Sequence, residues 1–176
     1  MRASRGHYNL TVPGSILYLQ KYRCVNFKRR KTMEKMFELL KQDHREVSQM
    51  ITELKKLSGQ KREKLFQKLS DALQDHMTLE EDSLYPALED IDETKDLIED
   101  AYEEHKTVQK QLKELDKIPF GDKKWDSTLN SMEEKIEHHV QEEESKLFKI
   151  APKVLSTEEL EDLNDQIVSE KERKAA

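Results

Sequence analysis

The chain is short of the residues that make turns and cross-links. Its 176 residues include only 4 glycines, 4 prolines and one cysteine, Cys24. A single cysteine excludes an internal disulfide and a cage of several thiolates, and it fits a reducing, cytoplasmic compartment. So few helix breakers, beside abundant Glu, Lys, Leu and Gln, favour long helices over strands. Aromatic residues are scarce at 6%, whereas 39% of the chain is charged. High charge with few aromatics also raises a disordered reading, so periodicity has to decide. No run approaches the 18 or more apolar residues of a membrane span. "YNLTVPGSILYL" is short and broken by Pro13 and Gly14, so a secretory signal is not expected.

Acidic residues are missing from positions 1–31, which carry Arg2, Arg5, Lys21, Arg23, Lys28, Arg29, Arg30 and Lys31, a charge of +8. With a net charge of −6, the remainder carries −14. An acidic body does not suit nucleic acid, because phosphate contacts need Lys and Arg. Residues 1–31 are expected to form a separate, irregular and disordered basic tail. Alternatives are a transit segment, an arm for an anionic surface, or sequence upstream of a natural start at Met33 or Met36.

Helical periodicity begins at Thr32 and runs to about Leu57, where Gly59 is free to take a left-handed cap. A second pattern covers Lys61 to Leu84, before Pro86. A third starts at Asp92, expected as N-cap, and reaches Lys117. A fourth covers Asp122 to Phe148, with Pro152 as its stop. "STEE" at Ser156 to Glu159 is a capping box for a shorter fifth helix bearing Leu160, Leu163 and Ile167. The expected fold is all-α: an up-down-up-down bundle over residues 32–152, then a C-terminal helix and tail over 153–176.

The bundle is an internal duplication. Around His44 lie Phe37, Leu40, Val47, Ile51 and Leu54; around His105 lie Ile98, Ala101, Val108, Leu112 and Leu115 at the same offsets. Asp43 and Glu104 precede the two histidines alike. Around His76 lie Phe66, Leu69, Leu73, Glu80 and Leu84, matched around His139 by Leu129, Met132, Ile136, Glu143 and Leu147. This register puts His139 on the apolar stripe and His138 off it, since each residue turns a helix by about 100°. His138 is therefore expected to be exposed, and His7 belongs to the tail. Tyr85, Phe148, Tyr102 and Trp125 are expected to fill the core, with lining of a pocket as the alternative.

His44, His76, Glu80, His105, His139 and Glu143 thus all face inward. An unpaired buried carboxylate costs several kcal/mol or takes up a proton, and two facing carboxylates repel. A cation resolves both problems. His and Glu four apart project from one face and can grip one ion or adjacent ions. Imidazole and carboxylate without thiolate suit iron, manganese or zinc, and bridging carboxylates make a dinuclear centre feasible.

The segments "DHREV", "HMTLEEDSLYP", "EHKTV" and "HHVQEEESKLF" resemble the hemerythrin family, specifically hemerythrin-like domains of the HHE cation-binding type, over residues 33–152. The resemblance implies a non-haem di-iron site. His44 and His76 would hold one iron, His105 and His139 the other. Glu80 and Glu143 would bridge them, together with an oxo or hydroxo group, and open positions would meet O2, NO or peroxide. Gln109 stands where oxygen carriers have a fifth histidine, and Glu143 is the better match to their final Asp, although Glu144 holds that offset. The pattern is closer to the four-His, two-Glu branch, similar to iron-centre repair proteins and iron- or oxygen-sensing domains. The expected function is binding or sensing of O2 or a related small molecule. Alternatives are iron donation or iron sensing, and reduction of peroxide or NO as an enzyme.

Overall fold

The computed structural model describes the backbone of residues 15–175 and the side chains of residues 35–174. Its helices are α1 (Ser15–Leu54), α2 (Gly59–Leu79), α3 (Lys95–Leu115), α4 (Lys123–Glu142), α5 (Phe148–Val154) and α6 (Thr157–Ala175). α2 and α4 each run directly into one turn of π-helix, Glu80–Leu84 and Glu143–Leu147. The molecule is a helical bundle: α1 packs along α2, α3 along α4, and α6 lies against α1. Among the described residues there is no strand, and no helix is long and apolar enough to cross a membrane.

The observed elements depart from the periodicity in three places. α1 starts at Ser15, not Thr32, so residues 15–31 are helical where an irregular tail was expected. Neither Gly nor Pro occurs between Ser15 and Ser58, so nothing in that stretch interrupts a helix. Residues 1–14, including His7, lie outside the described residues. α3 starts at Lys95, because Thr94, not Asp92, ends the preceding turn. Thr94 is fully buried, and its hydroxyl donates to the carbonyl of Leu88 at 2.6 Å. Finally, Pro152 lies inside α5, which continues to Val154. Gly59 adopts φ +57° as expected, but as the opening residue of α2.

The apolar stripes pack into two clusters. One contains Met36, Leu40, Leu84, Tyr85, Leu88, Ile98 and Phe148. The other contains Val47, Ile51, Leu54, Phe66, Leu73, Val108, Trp125, Leu129 and Ile136. Trp125 is fully buried, with its ring 5.5 Å from that of Phe66 and the Arg62 guanidinium 4.1 Å above it. It therefore belongs to the core, as expected. Each such buried side chain contributes about 1.5–3 kcal/mol.

α6 adds Leu160, Leu163 and Ile167 to the first cluster, so its apolar face is spent within this chain. Its capping box is formed: Ser156 N–H donates to Glu159 Oε2 at 2.7 Å, and Glu159 N–H donates to Ser156 Oγ at 3.3 Å. Ser156→Ala should cost about 1 kcal/mol and lower the melting temperature by about 2–4 °C, measurable by circular dichroism.

Candidate metal centre

Between the two apolar clusters lies a belt of charge. His44 (α1), His76 (α2), His105 (α3) and His139 (α4) are each at most 6% exposed, and Glu80 and Glu143 at most 2%. The glutamates open the two π turns. Tyr85 N–H bonds to Glu80 O, and Phe148 N–H to Glu143 O, five residues back in both cases. The wider turn changes what stands beside each glutamate. In an α-helix a residue five positions on lies about 140° away; here the Tyr85 hydroxyl returns to 3.4 Å from Glu80 Oε2.

The histidines meet in pairs. Nε2 of His44 and Nε2 of His76 are 3.2 Å apart, as are those of His105 and His139. Glu80 spans the pairs, with Oε1 3.2 Å from His76 Nε2 and Oε2 3.5 Å from His105 Nε2. Glu143 places one oxygen, Oε2, 3.4 Å from His44 Nε2 and 3.6 Å from His139 Nε2. Its other oxygen accepts the Tyr85 hydroxyl at 3.1 Å.

Outside this centre, each Nδ1 faces a carboxylate. His44 meets Glu144 at 2.8 Å, His76 meets Asp43 at 3.3 Å, His105 meets Glu81 at 2.8 Å and His139 meets Glu104 at 3.1 Å. The four acids follow the duplication. Asp43 and Glu104 hold the histidine within their own helical hairpin; Glu81 and Glu144 reach across to the other one. Such partners fix the tautomer and aim of a ligating imidazole. With Nδ1–H donating outward, every Nε2 turns a lone pair inward.

Four lone pairs and two carboxylates thus converge with the Tyr85 hydroxyl as a neutral donor. Glu80 Oε1 and Glu143 Oε2 are buried and accept no hydrogen bond. Burial and the charge of Glu143 push the Glu80 carboxyl well above the usual carboxylate range. Burial would raise Glu143 too, but protons drawn onto His139 and His44, both held above the usual imidazole range while no cation is present, outweigh it and keep that carboxyl well below the carboxylate range. Burial lowers His76 to about 4. Burial, Glu80 and Glu143 raise Tyr85, which stays a phenol. Without a cation, this belt is electron-rich and poorly satisfied.

Its spacing fits metal. Two donors about 2.1 Å from one ion, at octahedral to tetrahedral angles, stand roughly 3.0–3.4 Å apart. The inter-nitrogen and most nitrogen–oxygen separations above fall in or near this interval. Two groups can each hold an ion: His44, His76, Glu80 and Glu143, and Glu80, His105 and His139. A cavity of about 20 Å³ adjoins the four imidazoles, with Val47, Leu73, Met77, Val108, Ile136 and Val140 as its aliphatic walls. It has room for about one water-sized molecule. His44, Ile136 and Val140 also line a surface groove with Glu144 and Lys149.

All six side chains that the sequence placed inward are brought together. His138 lies outside, 61% exposed in its side chain, with Nδ1 2.7 Å from Glu104. Gln109 lines a groove with α2 residues on the surface and does not border the cavity. Phe148 stacks on His44 at 6.1 Å and Tyr102 packs edge-on against Tyr85. Tyr85 fills the core, as expected, and its hydroxyl also reaches the centre, because the π turn rotates it inward. Glu81 and Glu144 were not foreseen as imidazole partners; their equal offset, five residues after His76 and His139, was the available signal.

Residues 35–151 match the family model of the hemerythrin HHE cation-binding domain. Among solved structures, the chain is similar to a hemerythrin HHE cation-binding domain-containing protein from Mycobacterium kansasii. The two share 28% identity with a TM-score of 0.67, over 78% of this chain and 85% of that one. No curated protein is a significant match.

Proposed function

Because the chain belongs to the hemerythrin HHE cation-binding family, we propose that it holds two iron ions and uses them to bind or sense O2 or a related small molecule, NO or peroxide. His44 and His76 would hold one ion and His105 and His139 the other; Glu80 would serve both, whereas Glu143, expected to bridge as well, groups with His44 and His76 alone. Iron supplies the redox-active centre to which such a ligand attaches. The protein's part is to present four Nε2 lone pairs, to fix them through Asp43, Glu81, Glu104 and Glu144, and to offer the Tyr85 hydroxyl as a hydrogen-bond donor. The aliphatic walls keep the adjoining space dry and small.

The observation that carries this reading is the cavity of about 20 Å³ against all four histidines. It is too small for an organic substrate and suits a diatomic. The decisive experiment is an iron count with an absorption spectrum on anaerobically purified protein, before and after air. Two irons per chain and a band that changes with O2 or azide are expected. Protein purified with zinc alone, or with no metal, would overturn the proposal. A change on Val140 tests the cavity. Val140→Phe should leave the iron count unchanged and weaken azide binding by about tenfold, since overfilling a packed site costs about 1–3 kcal/mol. An unchanged azide titration would move the ligand site elsewhere.

The groove suggests a second reading, iron handling. His44 borders both it and the cavity, and its partner Glu144 is 36% exposed. Iron stripped by a mild chelator within seconds would favour donation over ligand binding.

A further inference from the structure

One outer carboxylate differs from the other three. Lys171, on α6, places Nζ 2.5 Å from both oxygens of Asp43. Asp43 Oδ2 is 3.3 Å from His76 Nδ1, and His76 Nε2 is 3.2 Å from Glu80 Oε1. A continuous line of polar contacts therefore runs from α6 to the centre. Asp43's counterpart in the duplication, Glu104, pairs with His138 instead. Among the described residues, no lysine or arginine is ion-paired with Glu81, Glu104 or Glu144. α6 also lies beyond residues 35–151, the part shared with the family model.

We propose that Lys171 is a positioning residue for the metal centre: by gripping both oxygens of Asp43 it fixes the tautomer and aim of His76. A carboxylate held at one edge only can rotate. Asp43 borders a groove of about 320 Å³ lined also by Gln42, Asp75 and Lys174, so water is the competing partner. With Lys171 in place, both oxygens are fixed, and Oδ2 remains to accept the His76 Nδ1–H. The Nε2 lone pair then faces inward. Docking of α6 does not require this contact. Leu160, Leu163 and Ile167 are buried in the core, and Lys174 pairs with Asp75 at 2.7 Å. Lys171 thus acts on the His44–His76 half of the centre alone. The consequence for iron rests on the proposed function; the consequence for His76 does not.

The test uses the full chain with Lys171→Met, Lys171→Arg and, as a control on the same helix, Lys174→Met. Nitrogen NMR of the metal-free protein reads the His76 tautomer. Lys171→Met should convert a single Nδ1–H form into a mixture, while Lys171→Arg and Lys174→Met keep the wild-type signals. In the iron-loaded protein, Lys171→Met should lose iron to a chelator about tenfold faster, the lower end of what outer-shell partners contribute. Unchanged His76 signals in Lys171→Met would overturn the proposal. So would Lys174→Met shifting both readouts equally, which would reduce the contact to helix docking. If the wild type binds no iron, the proposed function fails, and the metal-free NMR still decides the role of Lys171.

Discussion

Stripping metal from the protein should lower its melting temperature by roughly 8–16 °C. An ion present at about a thousand times its dissociation constant stabilises the native state by about 4 kcal/mol. For a chain of this size each kcal/mol moves the midpoint by about 2–4 °C. The sign follows from the belt itself. Without a cation, Glu80 and Glu143 stand together in a dry core, and Glu80 is driven toward its protonated form. Glu80→Gln mimics that neutral form. The metal-free variant should therefore melt no lower than the metal-free wild type, since a neutral amide avoids the desolvation cost and the repulsion from Glu143 that a carboxylate meets there. Added metal should raise the variant far less, because the one side chain among the described residues that faces both histidine pairs with separate oxygens has lost its charge. Calorimetry of both proteins, chelated and loaded, reads all four states. An equal rise in the two would show that Glu80 does not serve the ions.

His139→Ala should remove at least half of the bound metal, and His138→Ala should leave it nearly unchanged. The two residues are adjacent, and both touch Glu104. Only His139 turns Nε2 inward, 3.2 Å from that of His105. Loss of His138 frees one Glu104 oxygen and leaves the other on His139, so the inner imidazole keeps its partner. Metal counting by mass spectrometry on both variants, purified in parallel, checks this. Equal losses would mean that His139 is not the one histidine of this pair that α4 presents to the metal.

The convergence of six side chains was legible in the sequence because it depends on register. Offsets shared by His44 with His105, and by His76 with His139, define inward stripes without knowledge of how the helices pack. Three features escaped for physical reasons. The π turns at Glu80 and Glu143 have no strong local signature, and a straight α-helix aims Tyr85 about 140° from Glu80. The cross-hairpin contacts of Glu81 and Glu144 are tertiary, and on a helix so rich in acid only their shared offset from His76 and His139 marks those two. The start of α1 at Ser15 was hidden by charge, since basic residues without acids read as a tail while Gly and Pro are equally missing.

The outer acids carry a consequence for how such a molecule arose. His44 is steadied by Glu144 and His105 by Glu81. Each hairpin therefore completes the other's imidazole, and neither carries a finished cradle. An ancestor of half this length could have built the same belt only by embracing a copy of itself. Fusion of two such copies would have turned an encounter between molecules into a fold within one, where the partner can no longer drift away.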